Sequence, residues 1–377
     1  MDIKPFFLDL ESDEIEAIKD TFGSILTSGQ LILGKYTEQF ESDFSTYIGT
    51  KYAVAMNSGT SALEALLIYH KACGKNIAVP TNTNFASVAA IIRAGGNPVY
   101  MDMTKEYFVP SLEHLKFIVE KGGVDGVMWV HIGGIIAPDF FEVVKYCRDK
   151  GVFLIEDAAH AHGSAMGGVK AGAFADGGAF SFFPTKVMTT MEGGMITTDN
   201  KDLASLAMSL RNQGKRDGDF GGLHYDLGSS WRISEISAYI GIMQLSKLDN
   251  MVKIRSDAAI EISKILDIFG VEYCSTSHMD QASNYKFIIR FNSKEEANKA
   301  KDQLRENGIF CGGGVYETPC HQHPVFSDIP FESNDLSISE TYCSQHICPP
   351  ITSGTTNEDV AIMSGVIKKI LTAKNVC

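Results

Sequence analysis

Between about residues 52 and 200, short apolar runs alternate with helix-length segments, and this rhythm restricts the chain to few architectures. Runs at 52–56, 77–79, 98–101, 126–132 and 152–155 read as strands. The intervening segments 61–71, 85–94 and 138–150 read as helices. Apolar strands separated by helices form a mostly parallel sheet covered on both faces and joined by right-handed crossovers. Past this region the rhythm changes. Segments 233–251 and 256–268 read as long helices, 285–291 as a strand, 294–307 as a charged helix and 358–372 as a closing helix. The expected fold class is α/β, with a large α/β domain over residues 1–250 and a smaller α+β domain over 251–377, bridged by a helix.

A chain of 377 residues can bury such a core without disulfides or a structural metal. Lys plus Arg number 33 and Asp plus Glu 46, a formal charge of −13. So acidic a chain is a poor non-specific partner for nucleic acid or an anionic membrane, and neither is expected as a partner. A phosphate remains within reach, because backbone amides and a few local cations suffice to hold one. No apolar stretch approaches the roughly 20 residues of a membrane span. The start, Met1-Asp2-Ile3-Lys4-Pro5, lacks the charged-then-apolar pattern of an export signal. Eight cysteines without a C-x-x-C pair read as reduced thiols of a cytoplasmic protein, and no metal site is expected.

Three motifs carry chemistry. Asn57-Ser58-Gly59-Thr60-Ser61 follows a strand and opens a helix, where free amides and the helix dipole attract anions; a well-capped helix start explains the same residues. Phe153-Leu154-Ile155-Glu156-Asp157 is an apolar strand ending in two carboxylates, with His160 three residues beyond Asp157. Ligands of open α/β sheets bind at such strand ends, where an Asp ligates a metal, orients a His or pairs with a cationic ring nitrogen; an acid capping the next turn explains the same residue. Phe180-Ser181-Phe182-Phe183-Pro184-Thr185-Lys186 sets one lysine after an aromatic strand, and burial among aromatics depresses an amine pKa as Schiff-base chemistry requires; a solvated lysine at the edge of the core explains the same residue. A phosphate cradle, a strand-end Asp and a downstream Lys, in that order, are what pyridoxal 5′-phosphate needs: an anchor, a partner for its ring nitrogen and an amine for its aldehyde. Neither a G-x-G-x-x-G nor a G-x-x-x-x-G-K-[ST] nucleotide loop is present.

With these motifs stand Ser28-Gly29, Gly34, Phe40-Glu41, Val79-Pro80-Thr81, Glu192-Gly193-Gly194, Arg211-Asn212-Gln213-Gly214, Trp231-Arg232-Ile233-Ser234-Glu235, Pro319-Cys320-His321-Gln322-His323-Pro324 and Pro350-Ile351-Thr352. In this order, over nearly the whole length, the chain resembles the DegT/DnrJ/EryC1/StrS family of sugar aminotransferases, which have fold type I with a seven-stranded, mostly parallel sheet. The resemblance implies that Lys186 holds the cofactor and moves the proton, that Asp157 partners the pyridine nitrogen, and that His160 lies near the phenolic oxygen. It assigns Ser58, Gly59, Thr60 and Ser181 to the phosphate cradle. It also implies a homodimer in which the loop around Ser230 approaches the other subunit's phosphate.

Gly29, Arg232 and His321 fall on the substrate side. Arg232 binds a donor carboxylate or pairs with Glu235, and His321 touches substrate or makes a structural hydrogen bond. Three departures from the family pattern stand out. Asn84 occupies the place of a ring-stacking aromatic, so either Phe85 turns in or the stacking face is polar. Ser230 replaces an asparagine, and Val130-His131-Ile132-Gly133-Gly134 replaces an aromatic-glycine form.

The resemblance implies transfer of an amino group from L-glutamate or glutamine to a keto group, foremost that of a nucleotide-linked keto-deoxy sugar for polysaccharide or glycoconjugate synthesis. A polyol or triose-phosphate ketone or a keto-cyclitol is the alternative acceptor. Dehydratases of the lineage carry His in place of the lysine, which Lys186 argues against. A non-catalytic cofactor-binding regulator would need only the cradle and Asp157.

Overall fold

A computed structural model describes residues 2–216, 222–329 and 335–374. Two helices come first, α1 (Ser12–Ser28) and α2 (Lys35–Ile48). The alternating region then forms β1 (Tyr52–Met56), α3 (Gly59–Tyr69), β2 (Asn76–Pro80), α4 (Phe85–Arg93), β3 (Asn97–Met101), α5 (Leu112–Glu120), β4 (Gly126–Val130), α6 (Phe140–Lys150) and β5 (Phe153–Asp157). A short hairpin, β6 (Ala165–Met166) and β7 (Val169–Lys170), leads to β8 (Gly177–Ser181), β9 (Gly194–Thr198) and α7 (Lys201–Arg211).

Seven of these strands make one sheet, in the order β1-β9-β8-β5-β4-β2-β3. Neighbours are parallel except where β9 runs against β8 and β1. Successive side chains point to opposite faces of a strand, and this sorts the core into two layers. Ala53 and Ala55 of β1 join Phe40 and Phe44 of α2 on one face, while Val54 and Met56 join Leu63 and Leu66 of α3 on the other. Val127 and Trp129 of β4 divide from Met128 in the same way. Both faces are covered, as a parallel sheet requires.

After the sheet, α8 (Glu235–Phe269) runs unbroken for 35 residues, so the expected boundary at residue 250 falls inside one helix. Its first half packs on α2, where a Cβ on Gly241 would stand 2.6 Å from the Phe40 ring. Its second half supplies Ala258, Ile262 and Leu266 to a third cluster. That cluster is completed from β10 (Ile289–Arg290), α9 (Lys294–Glu306), β11 (His346–Ile347) and α11 (Asn357–Lys374), with α10 (Ser337–Tyr342) lying before β11 in the chain. The chain's first residues also lie there: Ile3 pairs with Ile309 and is buried in the same cluster. No helix among the described residues is long and apolar enough to cross a membrane.

Two expected strands are shorter than their apolar runs. The run 126–132 leaves the sheet at Val130, because Gly133 and Gly134 turn the chain back with φ of 66° and 92°. Of 285–291, only Ile289–Arg290 pairs as a strand. The residues before it are drawn onto the sheet's loops by hydrogen bonds from Ser283 N to Ser164 Oγ (3.0 Å) and from Lys286 N to Gly133 O (3.2 Å).

Candidate active site

The carboxyl ends of the parallel strands share one edge of the sheet, and a cavity of about 280 Å³ opens there. Ser58, Gly59, Thr60, Asn84, Asp157, His160, Ser181 and Lys186, all singled out in the sequence, line it together. A wider cleft of about 730 Å³ between α8 and residues 273–287 contains none of them.

The cradle begins where β1 hands over to α3. Ser58 caps the helix, its Oγ accepting from Ser61 N at 3.1 Å. The amides of Gly59 and Thr60 lie in the first turn, where no helical carbonyl reaches them, so they remain donors at the positive end of α3. The turn is closed by glycines. A Cβ on Gly59 would stand 2.8 Å from Ser181 Cβ, and one on Gly194 of β9 would stand 2.2 Å from Ser58 O. Phe180 and Phe182 point into the core, with ring centroids 5.0 and 5.5 Å from Phe44, which leaves Ser181 and Phe183 on the cavity side.

The two carboxylates ending β5 part company. Glu156 points away from the cavity and is fully buried. It accepts from His131 Nε2 (2.9 Å), Gly172 N (2.8 Å), Phe174 N (2.8 Å) and Ala175 N (3.1 Å), and so ties down the loop that leads to β8. Asp157 faces the cavity. Its oxygens accept from Ser87 Oγ (2.8 Å) and Ala159 N (3.2 Å), and it forms no ion pair among the described residues. Burial raises its pKa, and the hydrogen bonds from Ser87 and Ala159 and the Lys186 charge recover only part of that shift.

Lys186 sits in the turn after β8, its amide donating to Phe183 O at 2.9 Å. Burial lowers its pKa, against the opposing pull of Tyr285 and Asp157. Its Nζ lies 5.0 Å from the centroid of the Tyr285 ring. The His160 pKa falls well below its ordinary value, first through burial and then through the nearby lysine charges, so the ring is neutral at pH 7. Gly133 N donates to Nδ1 (3.3 Å), which puts the ring proton on Nε2, 3.3 Å from Tyr316 Oη. Tyr316 lines the cavity and hydrogen-bonds Asn84.

The remaining candidates lie elsewhere. Asn84 faces the cavity while Phe85 stacks on Phe326 at 5.5 Å, so the face offered to a ring at this position is polar. Arg232 forms no salt bridge with Glu235; it donates to Asn212 Oδ1 (3.1 Å) and Ser230 Oγ (2.5 Å). Glu235 instead accepts from the amides of Gly34 (2.9 Å), Tyr36 (2.9 Å) and Thr37 (3.0 Å) and from Thr37 Oγ1 (2.5 Å), serving as the anionic cap of α2. His321 uses Nδ1 on Thr81 Oγ1 (2.7 Å) and Nε2 on Glu340 (3.0 Å), and does not line the cavity. Gly29 ends α1 in the left-handed region. Ser230, Arg232 and Gly29 likewise lie outside the cavity lining. Trp129 is buried against Phe140. No group of three metal-ligating side chains occurs among the described residues. Sequence reasoning missed Ser87, in the first turn of α4, and Tyr285, which no local pattern marks.

These residues fit pyridoxal phosphate. The amides of α3, with the Ser58, Thr60 and Ser181 hydroxyls, suit a phosphate dianion. Asp157, buried and in no ion pair among the described residues, suits a protonated ring nitrogen, and Lys186 is an amine of lowered pKa in the same cavity. A model of the DegT/DnrJ/EryC1/StrS aminotransferase family matches residues 12–368. The chain is 34% identical to the GDP-perosamine synthase of Vibrio cholerae, over 95% of this chain and 96% of that one. It is 30% identical to the dTDP-3-amino-3,4,6-trideoxy-alpha-D-glucose transaminase of Streptomyces venezuelae, over 92% and 90%. The crystal structure of S. venezuelae DesV superimposes with a TM-score of 0.89 at 26% identity, covering 98% of each chain. A match of this breadth, over the residues that build the cavity, makes the chain a member of the DegT/DnrJ/EryC1/StrS aminotransferase family and a pyridoxal-phosphate-dependent transaminase.

Proposed function

We propose that this transaminase moves an amino group from L-glutamate or glutamine to the keto group of a nucleotide-linked keto-deoxy sugar, for the synthesis of a polysaccharide or glycoconjugate. The observation that carries the reading is the meeting of Lys186, Asp157 and the α3 N-terminus on one cavity. Relatives named for GDP- and dTDP-linked amino sugars, matched over nine-tenths or more of this chain, support the substrate class.

When bound, pyridoxal phosphate supplies an electron sink through which an amine and a carbonyl exchange. The amides of Gly59 and Thr60 and the hydroxyls of Ser58, Thr60 and Ser181 bind its phosphate. Asp157 holds a proton on its ring nitrogen, since a buried carboxylate is relieved of its desolvation cost by a cation. His160, neutral and oriented by Gly133 and Tyr316, would stand near the cofactor's phenolic oxygen. Lys186 holds the cofactor, then takes a proton from the substrate carbon and returns it; its lowered pKa makes the free amine available as a base. The polar face of Asn84 replaces an aromatic stack. The working unit is a homodimer, in which the Ser230–Arg232 loop, outside its own cavity, approaches the site of the other subunit.

The test has two stages. Protein loaded with cofactor is reduced with borohydride and mapped by peptide, and the label is expected on Lys186. Addition of glutamate or glutamine then shifts the cofactor spectrum, and a nucleotide-linked keto-deoxy sugar restores it. A label on another peptide ends the assignment of Lys186. A spectrum restored by inositol-type or triose ketones, but by no nucleotide sugar, replaces the substrate class.

A further inference from the structure

Resting on that functional reading, we propose that Tyr285 is a positioning residue for Lys186: its ring carries the ammonium, and its phenol oxygen, tied to Thr185, shares control of that nitrogen's proton. Lys186 Nζ stands 5.0 Å from the Tyr285 ring centroid, within the range of a cation–π contact. Tyr285 Oη lies 3.2 Å from Thr185 Oγ1, one residue before the lysine. The ring also packs on His160, at a centroid distance of 4.3 Å. Tyr285 does not line the cavity, so it acts through Lys186.

The tyrosine is held in place from three sides. Ser283 Oγ donates to His160 O (2.8 Å), and Ser164 Oγ, which accepts from Ser283 N, donates onward to Gly134 O (2.7 Å). A Cβ on Gly134 would stand 2.0 Å from Ser283 Oγ, so this approach needs glycine there. From α8, Ser256 Oγ donates to Ala282 O at 2.8 Å. Asn284, with φ of 43°, makes the bend that turns Tyr285 inward.

The charges around the pair are uneven. Asp157 faces Lys186 from β5, and His160 and His162 face it from the following loop. Lys286 lies 5.4 Å from the Tyr285 centroid, and Tyr316 stands nearby. Arg255 of α8 gives Nη1 to Ile351 O (2.8 Å) and pairs with no carboxylate among the described residues. Three cations thus surround one phenol. Burial alone pushes Tyr285 up, but Lys186, Lys286, the Thr185 hydrogen bond and Arg255 outweigh it and leave the phenol below its ordinary value. A phenol so placed is the counter-group that keeps Lys186 from losing its proton too readily.

The test uses the full chain freed of cofactor. An amine-reactive reagent is applied across a pH series, and label at Lys186 is quantified by peptide mapping, since only the free amine reacts. Tyr285→Phe keeps the ring and removes only the oxygen. Its Lys186 midpoint is expected to fall, with labelling below the midpoint rising about threefold or more. Coupling between two titrating sites is reciprocal. The tyrosine step that distinguishes Lys186→Ala from Lys186→Ala/Tyr285→Phe in an ultraviolet titration must therefore lie higher than the matching step with Lys186 present. Thr185→Ala, at an exposed position, gives a smaller shift of the labelling midpoint in the same direction and serves if Tyr285→Phe does not fold. An unmoved midpoint in a folded Tyr285→Phe protein overturns the proposal. Borohydride trapping in parallel separates the two readings. Label on Lys186 with an unmoved midpoint removes only the role of Tyr285, and no label on Lys186 in either protein removes the functional reading and this proposal together.

Discussion

Glu156 and Asp157 are adjacent carboxylates, and the structure requires their amide variants to behave in opposite ways. In Glu156→Gln the side chain keeps one oxygen, enough for the Phe174 and Ala175 amides, and turns an NH2 towards Gly172 N and His131 Nε2. His131 adapts by moving its proton to Nδ1, which has no partner in the native structure, and accepting on Nε2. The Gly172 amide cannot adapt. With the relocated His131 proton it makes two buried orphan donors, each costing about 1–3 kcal/mol. In Asp157→Asn the carbonyl serves Ala159 N, and the NH2 donates to Ser87 Oγ, which turns its own proton to Thr83 (2.8 Å). No group is orphaned, so the cost is under about 1 kcal/mol.

A pH arm follows from the same carboxylate. Burial raises the Asp157 pKa in the native state, so its stabilising share is fully present below the unfolded value, about 3.9, and is lost as pH rises through the native value. The cofactor-free Asp157→Asn variant lacks that loss and gains on the wild type as pH rises. Urea midpoints of the cofactor-free proteins, with borohydride trapping alongside, read both effects. Glu156→Gln should unfold earlier and still trap cofactor on Lys186, whereas Asp157→Asn should unfold no earlier than the wild type, later as pH rises, and turn over orders of magnitude more slowly. The reverse ordering, with Asp157→Asn the less stable and Glu156→Gln the inactive one, refutes the division of labour.

Gly194→Ala puts a Cβ 2.2 Å from Ser58 O and 2.7 Å from Gly59 N, so the cradle backbone must move. Cofactor affinity is expected to fall about tenfold or more, ~1.4 kcal/mol, and an unchanged fluorescence titration would remove the cradle from phosphate binding. Glu235→Ala deprives three amides and the Thr37 hydroxyl of their acceptor. A loss of about 3–5 kcal/mol is expected in urea unfolding, and a loss below about 1 kcal/mol would mean that water replaces the carboxylate at no cost.

The α/β class, the strand-end Asp157, the helix start at Ser58 and the placement of Lys186 after an aromatic strand are all legible in the chain, because each is a local pattern. Apolar runs of strand length, a capping serine before a helix and a lysine beside phenylalanines are set by neighbours a few residues away. The same locality let a resemblance of ordered motifs find the family. It failed where partners lie far apart in sequence. Arg232 and Glu235 share a spacing that suits a salt bridge, yet Glu235 is claimed by α2, some 200 residues earlier. His321 is claimed by Thr81, 240 residues away.

What the sequence determines by itself is therefore the set of elements and the chemical groups placed at their ends. Which groups meet is decided by how the strands order themselves. The Glu156 and Asp157 side chains diverge because a strand alternates its faces, and only the packed sheet makes one face a cavity and the other a loop anchor. Tyr285 shows the limit most plainly. It lies in a run that reads as a strand, 100 residues beyond Thr185, and comes to Lys186 only because two glycines at 133 and 134 let the C-terminal segment reach the sheet's edge. Hydrogen bonds and close packing across that distance have no counterpart in local periodicity, so they exist only in the folded chain.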